Sequence, residues 1–150
     1  MLCEKPLTLS GEQAKNLFAQ AERQNLILFE GIKTAYCPGF RKMLEIARSG
    51  SIGTICYVEA CFTKLESGDS RELTDRIYGG SFTELGSYGL LPIVKLLGNG
   101  FEDVRFQSIK GDNGLDVFTK SYFRYPEALA AAVCGLGAKA EGRLMVSGTR

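Results

Sequence analysis

The chain lacks histidine and tryptophan altogether and has only four prolines among its 150 residues. Histidine is the side chain that most often acts as a general base near neutral pH. Without it, acid–base chemistry has to depend on tyrosine, lysine, glutamate or aspartate. A zinc ion would have to be held by thiolates and carboxylates alone, and we predict no metal site.

The number and spacing of the cysteines do not indicate a disulfide framework. The five cysteines are odd in number and form no C-x-x-C pair, which is unlike a small secreted scaffold. We interpret them as reduced, mostly buried thiols of a cytoplasmic protein. The first residues contain no apolar signal core, and no apolar run approaches the ~20 residues of a membrane span.

No charge of one sign dominates. Eighteen basic residues stand against 17 acidic ones, which leaves a net charge of +1. We therefore predict neither a nucleic-acid partner nor an anionic membrane partner. The length and the 45% hydrophobic content are typical of one soluble domain with a real core.

Apolar residues at helical spacing predict three helices. The first follows a capping box, in which Ser10 is the N-cap and Gln13 stands three residues later. The third contains Gly86, Gly89 and Pro92, which lower helix propensity and are often tolerated for packing or function. The predicted helices cover residues 11–24, 38–50 (with Gly50 as the C-cap) and 81–97.

Aromatic and β-branched residues predict strands at 26–32 and 54–64, and a charged loop at 66–78. After Gly98 a meander of four further strands is separated by turn signals. Strands grouped at the end of a chain favour an α+β fold, an open and mostly antiparallel sheet with helices packed on one face. The four late strands are predicted at 104–110, 115–125, 128–136 and 143–147.

The second face of this sheet is partly apolar. Strand 115–125 places Val117 and Phe123 on one side and Phe118 and Tyr122 on the other. Two interpretations stay open: the face is buried against another subunit in a homo-oligomer, or it is a solvated amphipathic face.

Three side chains could form a proton-transfer site. Glu84 and Tyr88 are four residues apart and would share one face of the third helix. Lys5 precedes Pro6, so its backbone is extended. A lysine cation beside a phenol favours the ionised phenol, which then can act as an acid–base group near neutrality. The alternative is a core tyrosine, a surface glutamate and an unattached terminal lysine.

The segment 135–140, Gly-Leu-Gly-Ala-Lys-Ala, matches the pattern G-x-G-x-x-A. A dinucleotide-binding fingerprint opens a helix and leads to an acidic residue ~20 positions later. Here Gly142 and a strand pattern follow, so we predict a hairpin turn instead.

Four short sequence motifs follow one another in a characteristic order over residues 2–98. They are Leu2-Cys3-Glu4-Lys5-Pro6-Leu7 before a capped helix, Phe29-Glu30-Gly31 followed by Pro38 and Phe40, Ser49-Gly50-Ser51-Ile52-Gly53-Thr54-Ile55, and the stretch from Gly79-Gly80 to Gly89. In these four motifs the chain resembles the second, C-terminal domain of the Gfo/Idh/MocA oxidoreductases.

The resemblance implies an enzyme that uses NAD or NADP and acts on a sugar, a cyclitol or a related diol. It implies a preceding Rossmann domain that binds most of the cofactor, so that residues 1–150 would be a fragment truncated at both ends and inactive alone. Glu4, Lys5 and Pro6 would lie near the nicotinamide, and the bond before Pro6 is often cis in the family.

The resemblance also implies roles for the acidic and aromatic positions. Members commonly carry an aspartate and, four residues on, a catalytic histidine; here these are Glu84 and Tyr88. Tyrosine resembles the branch of dimeric dihydrodiol dehydrogenase and glucose–fructose oxidoreductase. Tyr88 would be the acid/base, Lys5 would activate it, and Glu84 would fix the helix and cofactor geometry. The chain departs from the family pattern at two places. Position 84 is glutamate where members commonly have aspartate, and residues 33–36 lack the arginine–phenylalanine pair that many members have there.

Two other functions remain open. A non-catalytic sensor or interaction protein on the same scaffold would bind sugars or cofactor and would not need both Lys5 and Tyr88. A small stand-alone α+β binding module would require a complete chain.

Overall fold

Seven strands and four helices make up the computed structural model, which describes residues 1–150. A 3-10 turn spans Lys33–Tyr36. In chain order the elements are β1 Leu2–Cys3, α1 Gly11–Arg23, β2 Phe29–Glu30, α2 Pro38–Arg48, β3 Ile55–Thr63, α3 Arg71–Thr74, α4 Ser81–Leu97, β4 Asp103–Lys110, β5 Asp116–Arg124, β6 Leu129–Gly135 and β7 Arg143–Gly148. None of the helices is both long enough and apolar enough to cross a membrane.

The larger sheet confirms the predicted α+β class. Its strand order is β4-β5-β6-β3-β7. Every neighbouring pair is antiparallel except β3 with β6, which is parallel. β4, β5 and β6 form a meander, but β3 separates β6 from β7. The prediction of a hairpin at residues 135–140 is therefore wrong, because β7 pairs with β3 and the segment is a longer connection between non-adjacent strands.

Helix α4 covers one face of this sheet through a tight contact. Ile93 and Val58 are almost completely buried between them, together with Phe123. A Cβ atom on Gly89 would lie 2.9 Å from the Cβ of Ala132 on β6. The glycine that lowers helix propensity in the sequence thus lets the helix approach the sheet closely.

The start of α4 is held by groups from the end of the sheet. Gly80 has φ +103°, and a side chain there would collide with the carboxylate of Asp116. That carboxylate accepts the backbone N–H of Phe82 at 2.9 Å, where a negative charge also favours the helix N-terminus. Ser81 is fully buried and accepts the N–H of Leu136 at 3.0 Å. These bonds set the position of every side chain in the first turns of α4.

The first 43 residues contain no buried residue. Helix α1 is confirmed, and Ser10 Oγ accepts the N–H of Gln13 at 3.3 Å. The predicted strand 26–32 shrinks to Phe29–Glu30, because its only partner is the two-residue strand β1.

Three local expectations need correction. The loop at 66–78 contains the short helix α3. Gly50 lies one residue beyond the C-cap Ser49 and has φ +83°, which is the usual place for a left-handed glycine. The five cysteines are free, but only Cys134 is buried. The expectation of mostly buried thiols is wrong, because strand and loop positions near the surface hold the others.

Candidate functional site

Lys5 and Glu84 meet across 79 residues of sequence. The Nζ atom of Lys5 lies 2.7 Å from Oε1 of Glu84 and donates to the backbone oxygen of Glu84 at 2.5 Å. The lysine side chain is only 8% exposed. The peptide bond between Lys5 and Pro6 is cis, as the resemblance implied. The structure therefore attaches the end of β1 to the first turn of α4.

Tyr88 lies one helical turn beyond Glu84 on the same face of α4. Its ring centroid is 5.3 Å from Lys5 Nζ, a cation–π distance. On its other side the ring packs at 5.1 Å from the ring of Phe62. The hydroxyl of Tyr88 makes no hydrogen bond within the chain, so it is free to bond a ligand. All three residues of the predicted proton-transfer site thus lie together.

Two clefts meet at Tyr88. The N-terminal cleft has a volume of about 610 Å³ and lies beside β1 and β2. The α4 cleft has a volume of about 620 Å³ and lies between α4, the 3-10 turn and the strands β3 and β7. Tyr88 and Lys33 line both. The remaining lining includes Leu2, Glu4, Phe29 and Tyr36 in the first, and Phe40, Ala60, Phe62 and Leu144 in the second.

The predicted cofactor residues fall in different places around the N-terminal cleft. Glu4 lines it, whereas Pro6 does not and Lys5 turns toward α4. The backbone N–H of Leu7 donates to Glu30 Oε1 at 2.9 Å, which fastens this segment to β2.

Sequence reasoning missed Phe62 and gave Lys33 no role beyond a departure from the family pattern. Phe62 belongs to a predicted strand, where alternation alone does not separate a core ring from one that borders a cleft. Lys33 follows a strand of only two residues in a 3-10 turn. The local sequence around Phe62 and Lys33 does not indicate a binding site, because the clefts form only when elements distant in the chain pack together.

A second polar cluster lies on the sheet face opposite α4, which we call the open face. The Tyr57 hydroxyl donates to Glu59 Oε2 at 2.6 Å, and Arg143 also donates to Glu59. These two bonds hold the pKa of Glu59 below its usual range. Burial, and then the bond to Glu59, raise the pKa of Tyr57 to about 12. The bond between Arg143 and Glu59 joins β7 to β3 on the open face.

Known proteins of similar sequence are oxidoreductases. The chain is 24% identical over 153 residues to the trans-1,2-dihydrobenzene-1,2-diol dehydrogenase of Sus scrofa, covering all of this chain and 45% of that protein. It is 34% identical over 106 residues to the dTDP-3,4-didehydro-2,6-dideoxy-alpha-D-glucose 3-reductase of Actinomadura kijaniata, covering 69% of this chain and 32% of the reductase. The chain thus spans less than half the length of these relatives. No family model matches it.

Solved structures share the whole fold. The aldose-aldose oxidoreductase of Caulobacter crescentus, complexed with glycerol, matches with a TM-score of 0.86 at 19% identity, over 98% of this chain and 46% of that chain. A 3-ketoreductase of Actinomadura kijaniata, in complex with TDP-benzene and NADP, matches with a TM-score of 0.80 at 24% identity, over 99% of this chain and 45% of that one.

Sequence similarity to dehydrogenases and reductases agrees with this fold. The fold matches the second domain of the Gfo/Idh/MocA-type oxidoreductases.

Proposed function

We propose that this chain is the substrate-binding and oligomerisation domain of an NAD- or NADP-dependent oxidoreductase. Its substrate would carry a carbinol of the kind found in sugars, cyclitols and diols. One observation carries the proposal: the Tyr88 hydroxyl has no hydrogen-bond partner in the chain, and Tyr88 lines two clefts beside the part-buried Lys5–Glu84 pair. The relatives' own names, dehydrogenase and reductase, support the reaction class.

The N-terminal cleft fits a flat heteroaromatic ring. Leu2, Phe29 and Tyr36 border it, and each is more than half exposed. Exposed apolar side chains around a cleft are typical of a ligand-binding surface. A nicotinamide held there would supply the hydride acceptor or donor. Glu4 and the strand ends of β1 and β2 would hold the ring.

Tyr88 would handle the proton. As the carbinol becomes a carbonyl, its hydroxyl proton would pass to the ionised, phenolate form of Tyr88, and in the reverse reaction the neutral phenol would return it. Lys5 would set the position of the Tyr88 ring and supply positive charge beside it. Glu84 would hold Lys5 in place, since both hydrogen bonds of the ammonium group end on this residue.

Replacement of the Tyr88 hydroxyl tests this role. In the complete protein that carries this domain, Tyr88→Phe should lower kcat by about 10²–10⁴-fold and change KM much less, because only the transferable proton is lost. Tyr36→Phe is the control, since Tyr36 lines the same cleft outside the proton site. Near-normal kcat in Tyr88→Phe, with the fold intact by circular dichroism, would show that another group moves the proton.

Residues 1–150 by themselves should show no turnover with NAD or NADP. They form one mixed sheet and a two-stranded sheet, so no doubly wound nucleotide-binding fold holds the cofactor against Tyr88. Rate acceleration is lost when reacting groups are not positioned together. Measurable turnover by the isolated chain would contradict this part of the proposal.

The open face would be the oligomer interface. Exposed apolar side chains lie on it, among them Ile109, Leu129 and Met145. A second copy suits this face, because a two-fold contact brings such a patch against itself. Leu129→Lys should shift the mass by light scattering toward the monomer. Ile46→Lys, on α2 at the other side of the sheet and similarly exposed, should not. A wild-type monomer at high concentration would contradict the interface.

We place the protein in the cytoplasm. All five cysteines are free, and two are exposed. Cytoplasmic reductants keep such thiols reduced, whereas oxidising compartments favour their pairing. Recovery of the protein from an oxidising compartment in cell fractionation would contradict this location.

A further inference from the structure

Lys33 differs from the other cations around Tyr88 because the chain gives it no counter-charge. Lys5 is paired with Glu84, and Arg143 with Glu59. Lys33 is exposed and makes neither an ion pair nor a side-chain hydrogen bond, although it lines both clefts. A cation of this kind is available to an anion that enters the site.

The carboxylates of the two clefts leave this availability intact. Glu30 shares the N-terminal cleft with Lys33, but its Oε1 accepts the backbone N–H of Leu7. Glu4 lines the same cleft and makes no ion pair. No acidic side chain lines the α4 cleft. An anionic group in the α4 cleft therefore meets positive charge with no carboxylate beside it.

The walls of the α4 cleft are mainly apolar. Phe40, Phe62 and Leu144 line it, and Pro92 comes from the buried side of α4. Arg143 also lines it, with its guanidinium bonded to Glu59. Its volume of about 620 Å³ falls within the range of small-molecule pockets. Such walls suit a ring or a short hydrocarbon body, while Lys33 at the border with the N-terminal cleft suits a single negative charge.

We propose that the α4 cleft binds the non-reacting part of the substrate, an apolar body with a carboxylate, and that Lys33 binds the carboxylate. Lys33 is then a specificity-determining residue that favours acidic over neutral substrates. The inference rests on the proposed function, because binding of the substrate in the α4 cleft would bring its reacting hydroxyl to Tyr88. A carboxylate is the class we assign, since Lys33 offers a single uncompensated positive charge and Arg143, the other cation of the cleft, is bonded to Glu59.

Binding of matched probes tests the site without turnover. The probes are benzoate, the neutral benzyl alcohol and the doubly charged phenyl phosphate, measured by calorimetry or ligand-detected NMR on the complete protein at low salt. We expect benzoate to bind about fivefold tighter than benzyl alcohol, the scale of one partly exposed ion pair. Lys33→Met should abolish the difference and Lys33→Arg should retain most of it.

A lysine variant outside the site, measured with the same probes, is the control. Lys110→Met removes an exposed, unpaired lysine at the far edge of the sheet and should leave the preference unchanged. Equal affinities for benzoate and benzyl alcohol in the wild type, or a preference that survives Lys33→Met, would overturn the proposal. Tighter binding of phenyl phosphate than of benzoate would overturn the carboxylate assignment.

Kinetics separate this inference from the proposed function. With NAD or NADP, Lys33→Met should raise KM for 3,4-dihydroxycyclohexane-1-carboxylate and leave KM for trans-cyclohexane-1,2-diol unchanged, with kcat nearly constant for both. Equal changes in the two KM values would overturn the role of Lys33. No turnover of either diol by the wild type would count against the proposed function, and the comparison of benzoate with benzyl alcohol would still decide the Lys33 site.

Discussion

Residues 1–43 and residues 44–150 contribute to the same site but are held in very different ways. All 25 buried residues lie in the second region, most of them in α4 or in the sheet. The first region contains none. Tyr88 and Glu84 belong to the packed region, whereas Lys5 belongs to the exposed one. Tyr88 thus belongs to the packed region, while the cation beside its ring comes from a segment without a buried residue.

Helix α2 spans the boundary between the two regions, and outside this helix few polar bonds join them. Lys5 donates twice to Glu84, and within the first region Glu30 holds the backbone of Leu7. Segments with few buried contacts open at a lower free energy than the packed core. The stability of the first region should therefore depend strongly on the single Lys5–Glu84 contact.

Lys5→Met should give the largest stability effect in the comparison, and only in the first region. Loss of a charge-assisted hydrogen bond of this kind costs about 1.5–3 kcal/mol. In hydrogen-exchange mass spectrometry the amides of residues 1–31 should exchange roughly tenfold faster or more, while those of β6 should not change. Lys15→Met is the control, because Lys15 and its partner Glu12 are both highly exposed and such pairs contribute under about 1 kcal/mol. An equal loss of protection in β6 would show that the two regions open together.

Gly89→Ala should lower the stability of the packed region by up to about 2 kcal/mol. The added methyl group crowds Ala132, which costs about 1–3 kcal/mol, and the gain in helix propensity offsets about 1 kcal/mol. Gly39→Ala in α2 meets no atom within 4 Å and should be neutral or slightly stabilising. Denaturant unfolding of the two variants measures the contrast. If Gly89→Ala proves as stable as Gly39→Ala, α4 is free to move away from the sheet.

Acid should destabilise the packed region through Glu59. The Tyr57 hydroxyl, and then Arg143, lower the pKa of Glu59 from its ordinary 4.5, so the folded state binds fewer protons than the unfolded state. This contribution is complete above the ordinary pKa and is lost as pH falls through the lowered one. Between about pH 5 and pH 3 the wild type should therefore lose more unfolding free energy than Glu59→Gln. Parallel pH curves for the two proteins would be inconsistent with this role.

Ser10→Ala should have the smallest effect on overall stability. The substitution removes the N-cap of α1 and costs the helix about 1 kcal/mol. Since α1 has no buried residue, this loss should appear as faster amide exchange in its first turn and not as a shift of the global unfolding midpoint. A clear drop in that midpoint would mean that α1 folds as part of the core.

Local patterns predicted much of the fold. The capping box at Ser10, the proline at the start of α2 and the alternation in β5 each gave elements within one or two residues of the observed bounds. The length of the strand predicted at 26–32 was overestimated, because its partner strand has only two residues. The meeting of Lys5, Glu84 and Tyr88 was predictable only in part: the helical spacing joins the last two, and the first came from family resemblance.

The sequence by itself determined the class of the fold, the helix that carries Glu84 and Tyr88, and the absence of histidine from these 150 residues. These follow from periodicity and composition, which act within a few residues. Only the tertiary structure decided that β3 lies between β6 and β7, that Gly89 brings α4 against the sheet, and that Lys33 borders both clefts without a counter-charge. Such features depend on contacts between residues far apart in the chain, and no local pattern encodes which distant surfaces will pack together.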